Sequence, residues 1–126
     1  MSRDYLLYLE DIQLALERID RYVLGLSFEA FSADEMRVDA VVRNLETVGE
    51  AVKHLPEDIR AMSPDTPWKQ IAGLRDVLTH AYFSVNLTLL WDIITNEAPA
   101  LRSEAKRLIA QLESAAADEG DPTPMP

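Results

Sequence analysis

Near the start of the chain the apolar residues recur by fours and threes, at Tyr5, Leu9, Ile12, Leu16, Ile19, Val23 and Leu26. That is the period of a helix with one apolar face, sustained for about three heptads, and it is incompatible with a strand, whose side chains alternate at period two. A stripe of that length must be buried, and other helices are its natural cover. The rest of the chain supplies them. Val38, Val41, Val42, Leu45, Val48, Val52 and Leu55 form a second stripe, Trp68, Ile71, Leu74 and Leu78 a third, and Leu89, Leu90, Trp91, Ile93 and Ile94 a fourth. Leu101, Leu108, Ile109 and Leu112 continue the last of these to about Ala116. No strand-length alternation and no internal repeat interrupts the pattern. The expected fold is all-α, an up-and-down bundle of four to five helices.

The punctuation fits. Gly25 and Ser27 end the first helix, and Phe28 and Phe31 fill a short connection. Ser32-Ala33-Asp34-Glu35 reads as a capping box, with Ser32 as N-cap and Glu35 three residues on. Pro56 stops the second helix and opens a short helical turn over 57–62. Ser63-Pro64-Asp65-Thr66-Pro67 is a clear break, after which Thr66 is expected to cap a third helix with Pro67 at its first position, running to about Tyr82. Phe83-Ser84-Val85-Asn86 reads as a turn, with Ser84 or Asn86 capping the next helix, and Asn96 to Pro99 as a break or kink. The domain is expected to span residues 1–116, with residues 117–126, acidic and proline-rich, disordered. Long stripes of this kind serve equally as a monomer core or in part as a dimer interface.

Composition removes whole classes of chemistry. With no cysteine there are no disulfides, thiolate nucleophiles or iron–sulfur clusters, and two histidines, His54 and His80, leave little for a metal; no cofactor is expected. The first residues mix charges into the apolar run, so neither a signal peptide nor a membrane span is expected, and the chain reads as cytoplasmic. The net charge is −10, from 12 Lys and Arg against 22 Asp and Glu. That opposes broad binding to a nucleic-acid backbone and leaves room only for a small basic groove.

One segment concentrates reactive groups: Arg75-Asp76-Val77-Leu78-Thr79-His80-Ala81-Tyr82. On a helix, Asp76 and His80 are four apart and can touch, so Asp76 can orient the imidazole. Arg75 and His80 are five apart, about 140° around the axis, and reach one small site most readily if a second copy faces the first across a two-fold axis. An imidazole suits general acid–base work at neutral pH, and a guanidinium suits a phosphate. Together they suit metal-free RNA cleavage, with His80 activating a ribose 2′-hydroxyl, Arg75 holding the scissile phosphate and a 2′,3′-cyclic phosphate as product. From the spacing alone, a structural hydrogen-bonded His–Asp pair is the commoner reading.

The chain resembles the HepT-like family of HEPN domains over about residues 4–112. The resemblance rests on Arg75-x-x-x-x-His80-x-Tyr82 within the block from Trp68 to Asp76, on Val48-Gly49-Glu50-Ala51-Val52-Lys53-His54-Leu55-Pro56 upstream, and on Trp91 downstream. The resemblance implies a homodimeric HEPN-like bundle with Arg75 and His80 as catalytic residues at the dimer cleft. It implies a metal-independent endoribonuclease acting as the toxin of a toxin–antitoxin pair. It also implies that a partner minimal nucleotidyltransferase, the antitoxin, silences the toxin by adding AMP to Tyr82. Asp76 fits the polar position after the motif Arg loosely. Lys69, Lys53 and Arg43 are the candidates for further RNA contacts. The alternative is a non-catalytic HEPN module that dimerises and binds a nucleotide or the nucleotidyltransferase through the same residues. Of the remaining residues, Gly49 and Gly73 suggest close helix approach, and Glu50 is either an arginine's partner (Arg75 or Arg43) or solvated. His54 is expected to complement the C-terminus of the second helix, and Trp68 and Trp91 to lie in the core.

Overall fold

The computed structural model describes residues 4–74, 76, 78 and 86–120, the last three by backbone alone. Every described element is helical. They run α1 (Asp4–Val23), α2 (Phe28–Ala33), α3 (Glu35–Lys53), α4 (Glu57–Ala61), α5 (Trp68–Ala72), α6 (Leu87–Asp92), a π-helical turn (Ile93–Glu97) and α7 (Ala98–Gly120). Helical backbone is also present at Leu74, Asp76 and Leu78, beyond the turn at Gly73.

The first two stripes meet as expected. Helix α1 packs along α3 on one side and α7 on the other, and α5 packs against α3. Leu9, Ile12, Leu16 and Ile19 face Val41, Leu45, Val48 and Val52 in one continuous core, which Leu90, Ile93, Ile94, Leu101, Ala105 and Leu108 complete. Tyr5, Val23 and Leu26, at the ends of the first stripe, are half-buried against it. Trp68 is buried; Trp91 is half-buried and packs on Phe31 and Phe28 with ring centroids 5.3 and 6.1 Å away. No described helix is long and apolar enough to cross a membrane.

Helix boundaries depart from the sequence expectation at several points, each with a local cause. Phe28 and Phe31 are not in a loop. They begin α2, whose N-cap Ser27 accepts the Ala30 N–H at 3.1 Å, and the extra turn carries Phe31 into full burial. Ser32 is therefore inside α2 and is not the cap of α3. That role falls to Asp34, which accepts the Arg37 N–H at 3.1 Å and the Arg37 guanidinium at 2.9 Å. Arg37 in turn donates to the Tyr22 carbonyl at 2.6 Å, tying the start of α3 to the end of α1. The chain turns between α1 and α2 at Gly25, where φ is +76°, a conformation glycine adopts without a Cβ clash.

Pro56 precedes α4 as its N-cap residue, and Pro67 likewise precedes α5, so Thr66 does not cap. Its hydroxyl is engaged by Ser63 instead, at 2.5 Å. Asn86 does cap α6, accepting the Leu89 N–H at 3.0 Å. The expected break near Asn96 is a widening rather than a stop: the Ala98 N–H reaches back five residues to Ile93. Pro99 has no N–H for the ordinary ladder, and a π turn just before it absorbs that loss without ending the helix. Helix α7 then continues past Ala116 to Gly120.

Candidate functional site

Arg75, His80 and Tyr82 lie outside the described residues, and so does the Ser84 alternative for capping α6. The structure does describe the frame around them. Leu74 is half-buried and Leu78 buried, four residues apart on the core side of the helix, whereas Asp76 between them is exposed. The inward apolar pair sets the rotation of this helix about its own axis, because turning it would put Leu78 in water.

Helix α5, which precedes it across the turn at Gly73, is held at its own beginning. The Trp68 indole N–H donates to the carbonyls of Arg60 at 2.9 Å and Ser63 at 3.0 Å. Ser63, only 2 % exposed, donates its hydroxyl to Glu104 on α7 at 2.6 Å. A serine hydroxyl has one proton, so the 2.5 Å contact with Thr66 must have Thr66 as the donor. Arg107 donates to both oxygens of Glu104, at 3.0 and 2.9 Å, and to the Met62 carbonyl at 2.9 Å. The Arg107 hydrogen bonds first, and that of Ser63 second, pull the Glu104 carboxyl down from 4.5 to about 2. The same bond to Glu104 raises the Arg107 pKa. Nothing local in the sequence joins Ser63 to Glu104, which are 41 residues apart. The available hints were a pair of hydroxyl residues, each followed by a proline, and a Glu–Arg pair spaced by three.

The other candidate residues divide between two places. Arg43 and Glu50 line a groove of about 700 Å³ between α1 and α3, together with Tyr8, Asp11, Asp39, Glu46 and His54. His54 stacks on Tyr8 with ring centroids 4.8 Å apart and sits 3.5 Å from Glu50. It occupies the C-cap position of α3, as expected, and its partners are these side chains. Glu50 is about half-exposed, with Lys53 at 4.0 Å as well as His54. Among the described lining residues the carboxylates Asp11, Asp39, Glu46 and Glu50 outnumber the guanidinium of Arg43, which gives the groove a negative potential. Lys69 is exposed on α5 and does not line that groove. Gly73 has φ −82°, and among the described residues an added Cβ would meet only the Gln70 and Lys69 carbonyls at ordinary contact distance. Among the described residues no group of three or more His, Asp or Glu is arranged to hold a metal ion.

A cysteine-free helical bundle with an Arg-x₄-His-x-Tyr motif between its two tryptophans falls in the class of HEPN domains. The chain belongs to the ribonuclease HepT-like family, whose model matches residues 12–108. It is 39 % identical over 108 residues to a probable ribonuclease HepT of Thermococcus cleftensis, covering 86 % of this chain and 98 % of that one. It is 44 % identical over 102 residues to a candidate RNase of Caldanaerobacter subterraneus, covering 81 % of this chain and 91 % of the relative. A candidate RNase of Methanocaldococcus jannaschii is 39 % identical over 112 residues, covering 89 % and 93 %. No solved structure matches at comparable stringency.

Proposed function

We propose that this protein is a metal-independent endoribonuclease, the toxin of a toxin–antitoxin pair. The observation that carries the reading is family membership over residues 12–108 together with an unbroken Arg75-x₄-His80-x-Tyr82 motif. In this reading His80 takes the proton of a ribose 2′-hydroxyl as its oxygen attacks the adjacent phosphorus. The P–O5′ bond breaks and the departing O5′ takes up a proton, from the imidazolium or from water, leaving a 2′,3′-cyclic phosphate on one product and a 5′-hydroxyl on the other. Arg75 holds the phosphate and stabilises the charge that grows on it. Asp76 supports the motif from the exposed side of its helix. Two copies of the chain complete the cleft, because Arg75 and His80 are separated by about 140° on one helix.

Silencing by a nucleotidyltransferase antitoxin follows the same electrostatics. AMP on Tyr82 adds a phosphodiester charge two residues from His80, which competes with RNA for Arg75 and repels its backbone. Lys69 and Lys53 are the better supports for an RNA strand; Arg43 works among four carboxylates and contributes less. A chain of net charge −10 binds RNA weakly and with strong salt dependence.

The deciding experiment is RNA cleavage in excess EDTA by protein purified without its partner, against His80→Ala. Cleavage by the parent alone, leaving cyclic-phosphate ends, supports the assignment. Absence of cleavage, with Tyr82 unmodified by intact mass, supports the second reading, a non-catalytic module; the acidic groove beside Arg43 is the feature that favours it. Co-expression with the antitoxin should add nucleotidyl mass that Tyr82→Phe abolishes.

A further inference from the structure

Among the described residues, a cleft of about 500 Å³ lies beside α5, lined by Leu16, Leu45, Val48, Ile71, Leu74 and Leu101. Glu104 and Thr66 stand at its edge. Packing against α3 and the buried Trp68 hold α5 on one side. Its beginning is also held by the polar clamp, in which Thr66 donates to Ser63, Ser63 to Glu104, and Arg107 to both Glu104 and the Met62 carbonyl. Trp68, the first residue of α5, hangs from the same turn by its indole N–H.

We propose that Ser63 and Glu104 are positioning residues for RNA cleavage: by anchoring the 63–67 turn to α7 they set the tilt of the helix that leads into the motif. The proposal rests on the ribonuclease reading above. Trp68 and Asp76 are eight positions apart across the turn at Gly73, about 12 Å at helical rise, so a tilt of ~5° at Trp68 carried through that turn displaces the level of Asp76 by about 1 Å. A displacement of about 1 Å costs on the order of 10²-fold in rate when two groups must meet at one phosphate. Neither Ser63 nor Glu104 needs to touch RNA for this to operate. Glu104→Gln preserves the function in part, because its amide oxygen still accepts the Ser63 proton, whereas Glu104→Ala and Ser63→Ala remove the link.

The test is steady-state cleavage of an oligoribonucleotide by the full chain in EDTA, at a temperature where circular dichroism shows every variant folded. Glu104→Ala and Ser63→Ala should each lower kcat by tenfold or more with KM within about threefold, and Glu104→Gln should recover most of the loss. Ile12→Val, a core change remote from the clamp, should lower the melting temperature and leave kcat in place. Hydrogen exchange at amides 69–78 reads the clamp without activity; it should quicken in Glu104→Ala while exchange in α1 is unaltered. A Glu104→Ala kcat within twofold of the parent, or unaltered exchange, overturns the proposal. A parent that cleaves no RNA overturns the ribonuclease reading itself, and exchange then still decides whether the clamp holds the helix.

Discussion

Replacing Trp68 with Phe isolates the energetic weight of the turn that starts α5. The indole is buried, and its N–H is shared between the Arg60 and Ser63 carbonyls at 2.9 and 3.0 Å. Phe fills the site except for two carbons and the nitrogen. At ~0.8 kcal/mol per buried carbon the lost transfer free energy is about 1.6 kcal/mol. The lost hydrogen bond adds ~1 kcal/mol, since two carbonyls lose a donor in a place where water has little access. The expected cost is about 2.5 kcal/mol, equivalent to roughly 10 °C in melting temperature for a domain of this size. Urea unfolding followed by circular dichroism measures it, with protein concentration held fixed so that association does not enter the comparison. An unchanged m-value would place the loss in the folded state. A loss below about 1 kcal/mol would mean that the indole N–H exchanges its carbonyl partners for water at no cost. The turn would then not be anchored through Trp68.

Other outcomes follow from single contacts. Asp34→Ala should cost about 1 kcal/mol as a lost N-cap, whereas Ser32→Ala should be neutral or stabilising, because its buried hydroxyl has no partner among the described residues; thermal melts of the pair distinguish which residue caps α3. Leu108→Ala should cost about 2–5 kcal/mol in urea unfolding and Leu7→Ala, 58 % exposed, within about 0.5 kcal/mol of nothing. Glu104 binds its proton more weakly when folded than unfolded. Its contribution to stability is therefore complete above pH 4.5 and is lost as pH falls toward about 2. Unfolding across that range should show a component that Glu104→Gln lacks.

The fold was legible where a physical period runs long. Seven residues of the first stripe and seven of the second repeat on one face, and no competing structure buries both sets. Caps were legible only to within a residue or two. Asp34 displaced Ser32 because burying Phe31 required a helical turn that the sequence disguises as a connection. Thr66 has the right chemistry for a cap, but its hydroxyl is taken by Ser63, a contact decided in three dimensions. The π turn was likewise visible only as trouble near a proline. As for the site, Arg75, His80 and Tyr82 declared themselves by residue type and order. Ser63 and Glu104 did not, since what unites them is the packing of α7 against a turn 41 residues earlier.

The widened turn at Ile93–Glu97 has a consequence for the evolution of the chain's length. A π turn is one residue too many for an α-helix, and each residue advances a helical face by about 100°. Deleting one residue there would remove the bulge and leave a regular helix whose two halves stay in phase. Leu101, Ala105 and Leu108 would keep their place in the core, while Pro99 would fall on an unbroken ladder that it cannot join. The irregularity thus absorbs one residue without turning either apolar face away from the core. Single-residue deletions at the exposed positions 95–97 should be better tolerated than deletions within 101–109, where each would turn the rest of α7 by about 100°.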